Sequence, residues 1–383
     1  MKKIFLLTLF SIFTFTSFAQ NSAVNNAALY LQQGDIAKAK VEIDKATTNE
    51  KTMSQSKTWY YRGMVYKGIY ESKKPEVKSL NDAPLKEAGK SFLKSIDLDP
   101  SGGEFASKSR TELTIVYSLL VNKGVELYEN ADHFNALSYF SQAQQVNPFD
   151  TTAYIYALYS AEEMESPELV KEYCTKLVSL KSKNPYPYYR LIDIEFNQEK
   201  HPDKAFQYSD KAVELFPNNA DLLLQRADMM VRMNRGKEAA DIVEKIKAKY
   251  PTNIDYIIQL AVIYDKTKQI DKAKLNYKEA LSKDSLNFIA NFNMAILGIQ
   301  DAKKQEKRIF SSDSLAKANN KTGKPWAPDI TKDIERQKLN SILSETQVYY
   351  NRAARHVKDV SERKRLEMIL AEMTRLRSTY LVK

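Results

Sequence analysis

The chain has 383 residues, 43% hydrophobic and 28% charged, a composition too apolar for a disordered protein. A single cysteine, Cys174, excludes an intramolecular disulfide framework and a cysteine-rich zinc site. Most of the formal net charge of +10 lies in residues 301–383, which hold 19 Lys and Arg against 11 Asp and Glu. Residues 20–300 hold 37 of each sign, which disfavours a nucleic-acid-binding stripe along the body.

The N-terminal segment 1–19 has the pattern of an export signal. Two lysines precede an apolar run over residues 4–15, and residues 17–19 supply small side chains at a signal-peptidase site. The run is shorter than the ~20 residues of a membrane span, although an uncleaved anchor is the alternative. We expect cleavage before Gln20 and an exported protein, in the periplasm or in the outside medium.

Small residues recur through the body with a constant period. The alanines Ala205, Ala239 and Ala273 are separated by two equal intervals. Pro217 and Pro251 have the same spacing, whereas the interval from Ala136 to Ala205 is two such periods plus a single extra residue. A fixed period of this length predicts stacked copies of one supersecondary unit.

The pattern resembles the tetratricopeptide repeat (TPR) family, whose 34-residue unit is a helix pair with small residues at positions 8, 20 and 27. Large residues occupy positions 4, 7, 11 and 24 of that unit. The second unit has Trp59, Gly63 and Tyr66 at positions 4, 8 and 11, whereas the fourth is weakest, with Leu158 at position 8. The resemblance covers most of residues 20–358. It implies an all-α, right-handed superhelix of about eight helix pairs.

The units are interrupted at defined places. Units one and two span residues 20–100, with an insert near residues 69–82. Units three to seven and the first helix of unit eight span residues 101–300. An extra stretch that begins at Gly103 is expected to lengthen the first helix of unit three.

The C-terminal part departs most from the repeat. Residues 301–343, rich in Lys, Ser, Asn and Asp, are expected to form an insert loop. In it, Trp326 stands between prolines and either packs back on the array or forms an exposed interaction hook. Residues 344–383 are expected to hold the second helix of unit eight, near Gln347–Val357, and a capping helix.

That capping helix is predicted at about Ser361–Leu376. Leucine, isoleucine and methionine recur on one face, and arginines occupy much of the remaining surface. A terminal cap with a polar outer face is what a repeat array needs. The alternative is a helix that lies on an anionic membrane surface.

Positions 5 and 9 of each first helix point away from the core stripe. In the TPR family this face lines the concave groove, where partner peptides often lie. The apolar residues at these positions are Tyr60, Met64, Val121, Val125, Ile155, Tyr159, Ile194, Leu224, Ile258, Val262, Phe292 and Ile296. Because so apolar a surface needs cover, we expect a partner's helix or extended segment, the chain's own insert, or tight curvature to bury it.

No catalytic constellation, nucleotide-binding loop or metal-ligand spacing is recognisable, so we expect no enzymatic activity, cofactor or metal. The acidic run over residues 162–165 is expected to be a solvated turn, and Cys174 a buried structural residue. The sequence favours an exported TPR scaffold that binds a protein partner and acts in cell-envelope assembly or maintenance. The alternatives are a binding protein for an extended glycan, and a peripheral membrane protein acting through the basic C-terminal region. No nucleic-acid partner is expected.

Overall fold

The computed structural model describes residues 22–321 and 330–381. They form two compact units, one ending at Glu199 and the other beginning at Lys200. The described residues are helices and short connections, with no β-strand, which confirms the predicted all-α class. No helix among them combines the length and apolar character needed to cross a bilayer. The predicted export signal and Trp326 lie outside the described residues.

The first unit is a succession of antiparallel helix pairs. Its helices are α1 (22–32), α2 (Ile36–Thr47), α3 (Ser56–Glu71), α4 (Pro75–Lys78), α5 (Pro84–Asp97), α6 (Glu104–Glu129), α7 (His133–Val146), α8 (Thr152–Glu163), α9 (Pro167–Ser179), α10 (Tyr186–Asp193) and a π-helix (Ile194–Gln198). The insert near residues 69–82 contains the single turn of α4. Helix α6 has 26 residues, so the extra residues after Gly103 do lengthen it.

The second unit continues the same alternation. Its helices are α11 (Pro202–Leu215), α12 (Ala220–Arg232), α13 (Gly236–Lys249), α14 (Ile254–Lys266), α15 (Ile270–Lys283), α16 (Phe288–Lys321), α17 (Ile330–Ala354) and α18 (Val360–Tyr380). In both units each helix packs on its neighbours along the chain. The long-range order is therefore built from local contacts, as in other repeat arrays.

Small residues allow the two helices of a pair to approach closely. A Cβ atom at Gly124 of α6 would lie 2.5 Å from the ring of Phe140 on α7. A Cβ atom at Gly63 of α3 would likewise clash with the ring of Phe92 on α5. Both phenylalanines are completely buried, so each ring fills the space that the missing side chain leaves.

Most turns inside the pairs share one backbone conformation. A residue in the left-handed region closes most of the first helices of pairs, at Gly34, Ala131, Glu165, Lys200, Asn234 and Lys268. Side chains then begin the next helix: Asp35 accepts a hydrogen bond from the Lys38 amide, and Asp132 from the Asn135 amide. Such caps satisfy amides that the first turn leaves unpaired.

The predicted insert loop over residues 301–343 is wrong, because its described residues are helical. Helix α16 continues to Lys321, and α17 begins at Ile330 rather than near residue 347. The two helices meet along a narrow seam whose buried members are Ala302, Gln305, Ile309, Leu339 and Leu343. Gln305 lies in this seam and donates a hydrogen bond to the Glu335 carbonyl, 2.9 Å away.

The terminal helix caps the array. Leu366, Ile369, Met373 and Leu376 of α18 are buried in one cluster with residues of α16 and α17, whereas Leu370 is exposed. The apolar face of α18 is thus occupied by the protein itself. It is not available for insertion into lipid in this structure, which supports the cap over the membrane-surface helix.

An ion-pair network holds the cap to the last helix pair. Arg375 of α18 donates from Nη1 and Nη2 to the two Glu306 carboxylate oxygens of α16, each 2.9 Å away. It also binds Glu372 on its own helix. These hydrogen bonds from Arg375 hold the pKa values of the Glu306 and Glu372 carboxyls below their usual range.

Replacing Arg375 by glutamine should therefore destabilise the protein in a pH-dependent way. Because the carboxyl pKa values are depressed in the folded state, their contribution is present above their unfolded pKa of about 4.3. It is lost as the pH falls through the folded pKa. We expect Arg375→Gln to cost about 0.5–1 kcal/mol at pH 7 and less at pH 3.5, measured by urea unfolding. Exposed Arg363 on the same helix provides the matched control, Arg363→Gln, and equal losses at both pH values would contradict this expectation.

Candidate functional site

A cleft of about 430 Å³ opens between α8, α9, α10 and the π-helix, all in the first unit. Its size is within the range of ligand sites in proteins, roughly 300–1,000 Å³. Its lining combines aromatic, aliphatic and charged side chains. These residues are Glu162, Glu165, Ser166, Pro167, Val170, Tyr186, Tyr189, Arg190, Ile194 and Gln198.

A polar cluster fixes one wall of this cleft. The Tyr186 hydroxyl donates to the Glu162 carboxylate, 2.7 and 2.8 Å from its two oxygens. Arg190 donates from Nε to Glu162 Oε1, 2.8 Å away, and its Nη1 lies 3.5 Å from Asp193 Oδ2. Burial, together with the hydrogen bond to Glu162, raises the pKa of the Tyr186 hydroxyl, so this group remains a donor at neutral pH.

The acidic run over residues 162–165 is therefore not uniformly the solvated turn that we expected. Glu163, Met164 and Glu165 are exposed, whereas Glu162 is partly buried against Arg190. The last turn of α8 carries Glu162 toward α10, because helix pairs that are neighbours along the chain pack together. The sequence did not reveal this contact, since Glu162 and Arg190 are 28 residues apart.

A row of tyrosines leads to the cleft. Ring centroids are 6.5 Å apart for Tyr128 and Tyr156, 6.2 Å for Tyr156 and Tyr159, and 6.0 Å for Tyr159 and Tyr186. The tilted and edge-on geometries are those that aromatic quadrupoles prefer. The Tyr159 hydroxyl also accepts a hydrogen bond from Asn184 Nδ2, 3.4 Å away. These contacts hold the rings in place beside the opening.

Cys174 of α9 is buried, as the sequence predicts. Burial raises the pKa of the Cys174 thiol to about 12. Since the thiolate is the reactive form, this side chain is not a nucleophile at neutral pH.

Comparison with known proteins identifies the helix pairs. Two models of the tetratricopeptide repeat match this chain, one over residues 196–257 and one over residues 254–284. Residues 196–284 of the chain therefore match TPR repeats. The predicted repeat is thus confirmed, and the TPR fold suggests a scaffold for protein–protein interaction.

One curated relative matches part of this chain. The human protein named protein O-mannosyl-transferase TMTC3 is 25% identical over 215 residues, which are 49% of this chain and 23% of the human protein. This chain thus spans less than a quarter of that relative's length.

Several solved structures align with the chain at low identity. YrrB, described as a TPR protein with an unusual peptide-binding site, is 20% identical and covers 53% of this chain and 96% of its own, with a TM-score of 0.39. MamA is 18% identical, with 44% and 92% covered and a TM-score of 0.39. PilF of Pseudomonas aeruginosa is 21% identical, with 63% and 96% covered and a TM-score of 0.31.

The extra residue in the TPR period lies beside the cleft. The left-handed turn residues Ala131 and Glu165 are separated by one TPR period, but Lys200 follows a single residue later than the next period would place it. This longer interval contains the π-helix Ile194–Gln198, and a π-turn holds one more residue than an α-turn. The insertion is therefore absorbed within one turn of the fifth TPR unit.

This π-helix corrects the predicted register of α10. Tyr188 is fully buried, whereas Tyr189, which the constant period counted back from Ala205 places at core position 4, is 42% exposed and lines the cleft. Ile194, predicted to face a partner at position 9, is only 5% exposed. It lines the cleft as a largely buried residue. Shifting the register by one residue places Tyr189 and Asp193 at the inner TPR positions.

The twelve predicted groove residues divide into two groups. Eight remain partly exposed, namely Tyr60, Met64, Val125, Ile155, Tyr159, Leu224, Val262 and Ile296. The other four are core residues in this structure, namely Val121, Ile194, Ile258 and Phe292. The first group therefore keeps part of its apolar surface exposed, whereas the second group packs mainly in the core, although Ile194 also lines the cleft.

The chain itself covers part of the predicted groove. The lengthened α6 brings Phe105 within 5.5 Å of the Tyr60 ring, measured between centroids. At the other end, the Arg365 guanidinium of α18 lies 4.9 Å from the ring of Phe292. Both covering side chains, Phe105 and Arg365, belong to segments outside the regular repeat. The prediction of one continuous apolar groove could not foresee them.

Proposed function

We propose that this protein is a non-enzymatic, exported TPR scaffold that binds a protein partner through the inner faces of its first helices. The single observation that carries the proposal is the partial exposure of apolar side chains at positions 5 and 9 of several TPR units. Ile155 and Tyr159 in the first unit, and Leu224 and Val262 in the second, are such side chains. Apolar side chains that recur on one face mark interaction surfaces.

The cellular setting is part of the same proposal. The N-terminal pattern of two lysines, an apolar run and small residues at 17–19 supports export to the periplasm. A protein-binding scaffold there would serve the assembly or maintenance of envelope machinery. Mass spectrometry of the protein from the periplasmic fraction should find Gln20 as the first residue. A chain that retains Met1 in the cytoplasmic fraction would argue against export.

The scaffold role is tested by changing the inner face in both units. The double variant Ile155→Ser with Val262→Ser should lose partners that the unaltered protein retains on an affinity resin, because buried apolar contacts carry most of the binding energy of an interface. The measurement is quantitative mass spectrometry of proteins captured from an envelope extract. Each variant is first checked for an unchanged helical spectrum.

The matched control is Leu275→Ser, which removes a leucine that is 68% exposed on a second helix. It should retain the same partners. If the double variant captures the same proteins as the unaltered chain, the inner face is not the binding surface. If the control variant loses these partners as well, the capture reflects non-specific hydrophobic binding and the proposal fails.

A further inference from the structure

The charge of the chain is unevenly distributed around the cleft. Residues 101–199, which contain all the cleft residues, hold 8 Lys and Arg against 14 Asp and Glu, a net charge of −6. The whole chain has a net charge of +10. The TPR units that form the cleft are therefore an acidic region in a basic protein. Such a region favours the approach of a positively charged group.

The cleft itself has the same sign. Its one cationic lining residue, Arg190, is held by Glu162 through Nε and lies near Asp193 through Nη1. Exposed Glu165 adds a further carboxylate at the rim. The helix dipole places about half a positive elementary charge at the N-terminus of α9, which offsets only part of the negative charge of these carboxylates. An anionic ligand would thus meet two lining carboxylates, Glu162 and Glu165, and an arginine that is already engaged.

Aromatic rings complete the environment for a cation. Tyr189 is 42% exposed in the lining, and the Tyr186 ring stands 6.0 Å from that of Tyr159. Aromatic faces attract ammonium and guanidinium groups, and this attraction strengthens when water is excluded. Aliphatic Val170 and Ile194 lie in the same lining and suit the methylene stem of a long basic side chain.

We infer that this cleft binds a lysine or arginine side chain of a partner polypeptide, with the charged end between Glu165 and the tyrosines. The inference rests on the proposed scaffold function and specifies the chemistry of the partner. The π-helix contributes directly, because Ile194 and Gln198 belong to it and line the cleft. A one-turn π-insertion at a ligand site is a recurrent arrangement in proteins.

The test uses fluorescein-labelled alanine–glycine peptides of nine residues that differ only at the central position. That position is lysine, arginine, norleucine or glutamate, and binding to the full mature chain is followed by fluorescence anisotropy. The lysine and arginine peptides should bind about tenfold more tightly than the norleucine peptide, a difference of about 1.4 kcal/mol. The glutamate peptide should bind most weakly.

Variants locate the effect in the cleft. Glu165→Gln and Tyr189→Ala should each weaken lysine-peptide binding severalfold, and both residues are exposed enough for the fold to tolerate the change. Glu172→Gln removes the same charge from an exposed position of α9 outside the lining, and it should leave binding unchanged.

Three results would overturn the inference: equal affinity for lysine and norleucine peptides, equal weakening by Glu172→Gln and Glu165→Gln, or no binding of any peptide at millimolar concentration. None of them would remove the scaffold function. Partner capture that depends on Ile155 and Val262 would stand independently of cation selectivity.

Discussion

Replacing Phe140 by alanine should lower the free energy of unfolding by about 3–5 kcal/mol. The Phe140 ring is completely buried, fills the space at Gly124, and stacks on Tyr156 at 5.7 Å between centroids. Its removal leaves a cavity between the helices of one TPR pair that the rigid helices cannot close. Urea unfolding followed by circular dichroism gives the change.

The neighbouring Phe134 is the control, because it lies on the same helix and is 73% exposed. Phe134→Ala should change stability by no more than about 0.5 kcal/mol. Adding Gly124→Ala extends the test, since its Cβ would clash with the Phe140 ring only while that ring is present. In the Phe140→Ala background the second change should be neutral or stabilising, because alanine favours a helix over glycine by about 1 kcal/mol. Equal effects in both backgrounds would contradict the proposed packing.

Replacing Ala239 by leucine should destabilise the second unit by about 1–3 kcal/mol. Ala239 is completely buried in the cluster that joins α12 to α16, at a position where the TPR period requires a small residue. The larger side chain forces neighbouring groups apart. Ala248→Leu, on an exposed position of the same helix, should have little effect when compared by urea unfolding. An unchanged midpoint in Ala239→Leu would be inconsistent with the repeat register.

The helix pairs could be predicted because they arise from short-range rules. Ala205, Ala239 and Ala273 are all completely buried, as a small residue at the contact of two helices must be. The alanine spacing therefore established both the fold and much of the core. The terminal helix could be predicted in the same way, because the apolar stripe of α18 indicates a helix with one buried face.

The segment 301–343 could not be recognised as helical by the same criteria. A two-helix arm buries only a narrow seam, here with Ala302, Ile309 and Leu339 among few buried residues. Most of the other described positions in this segment are polar or charged, although apolar Phe310 and Ile334 are exposed as well. Such a composition also suits a solvated loop, so hydrophobic periodicity was too sparse to distinguish the two.

The cleft was only partly predictable. Tyr159 and Ile194 were chosen from their place in the repeat, but Glu162, Tyr186 and Tyr189 were missed. The Glu162 to Arg190 contact joins different TPR units, and the register of α10 depends on a π-turn. One signal was visible, namely the overlong interval from Ala136 to Ala205, which disclosed an extra residue without showing where it is placed.

That single added residue has a consequence for how the array tolerates changes in length. In an uninterrupted α-helix, one insertion rotates everything beyond it by about 100°, and the buried stripe would then face water. Here the change of register is confined to the π-helical turn Ile194–Gln198. The alanines that follow it again have the spacing of the repeat and are buried. A stacked protein can thus gain a residue and reorient a few side chains locally, while the later helices keep their own apolar stripes buried.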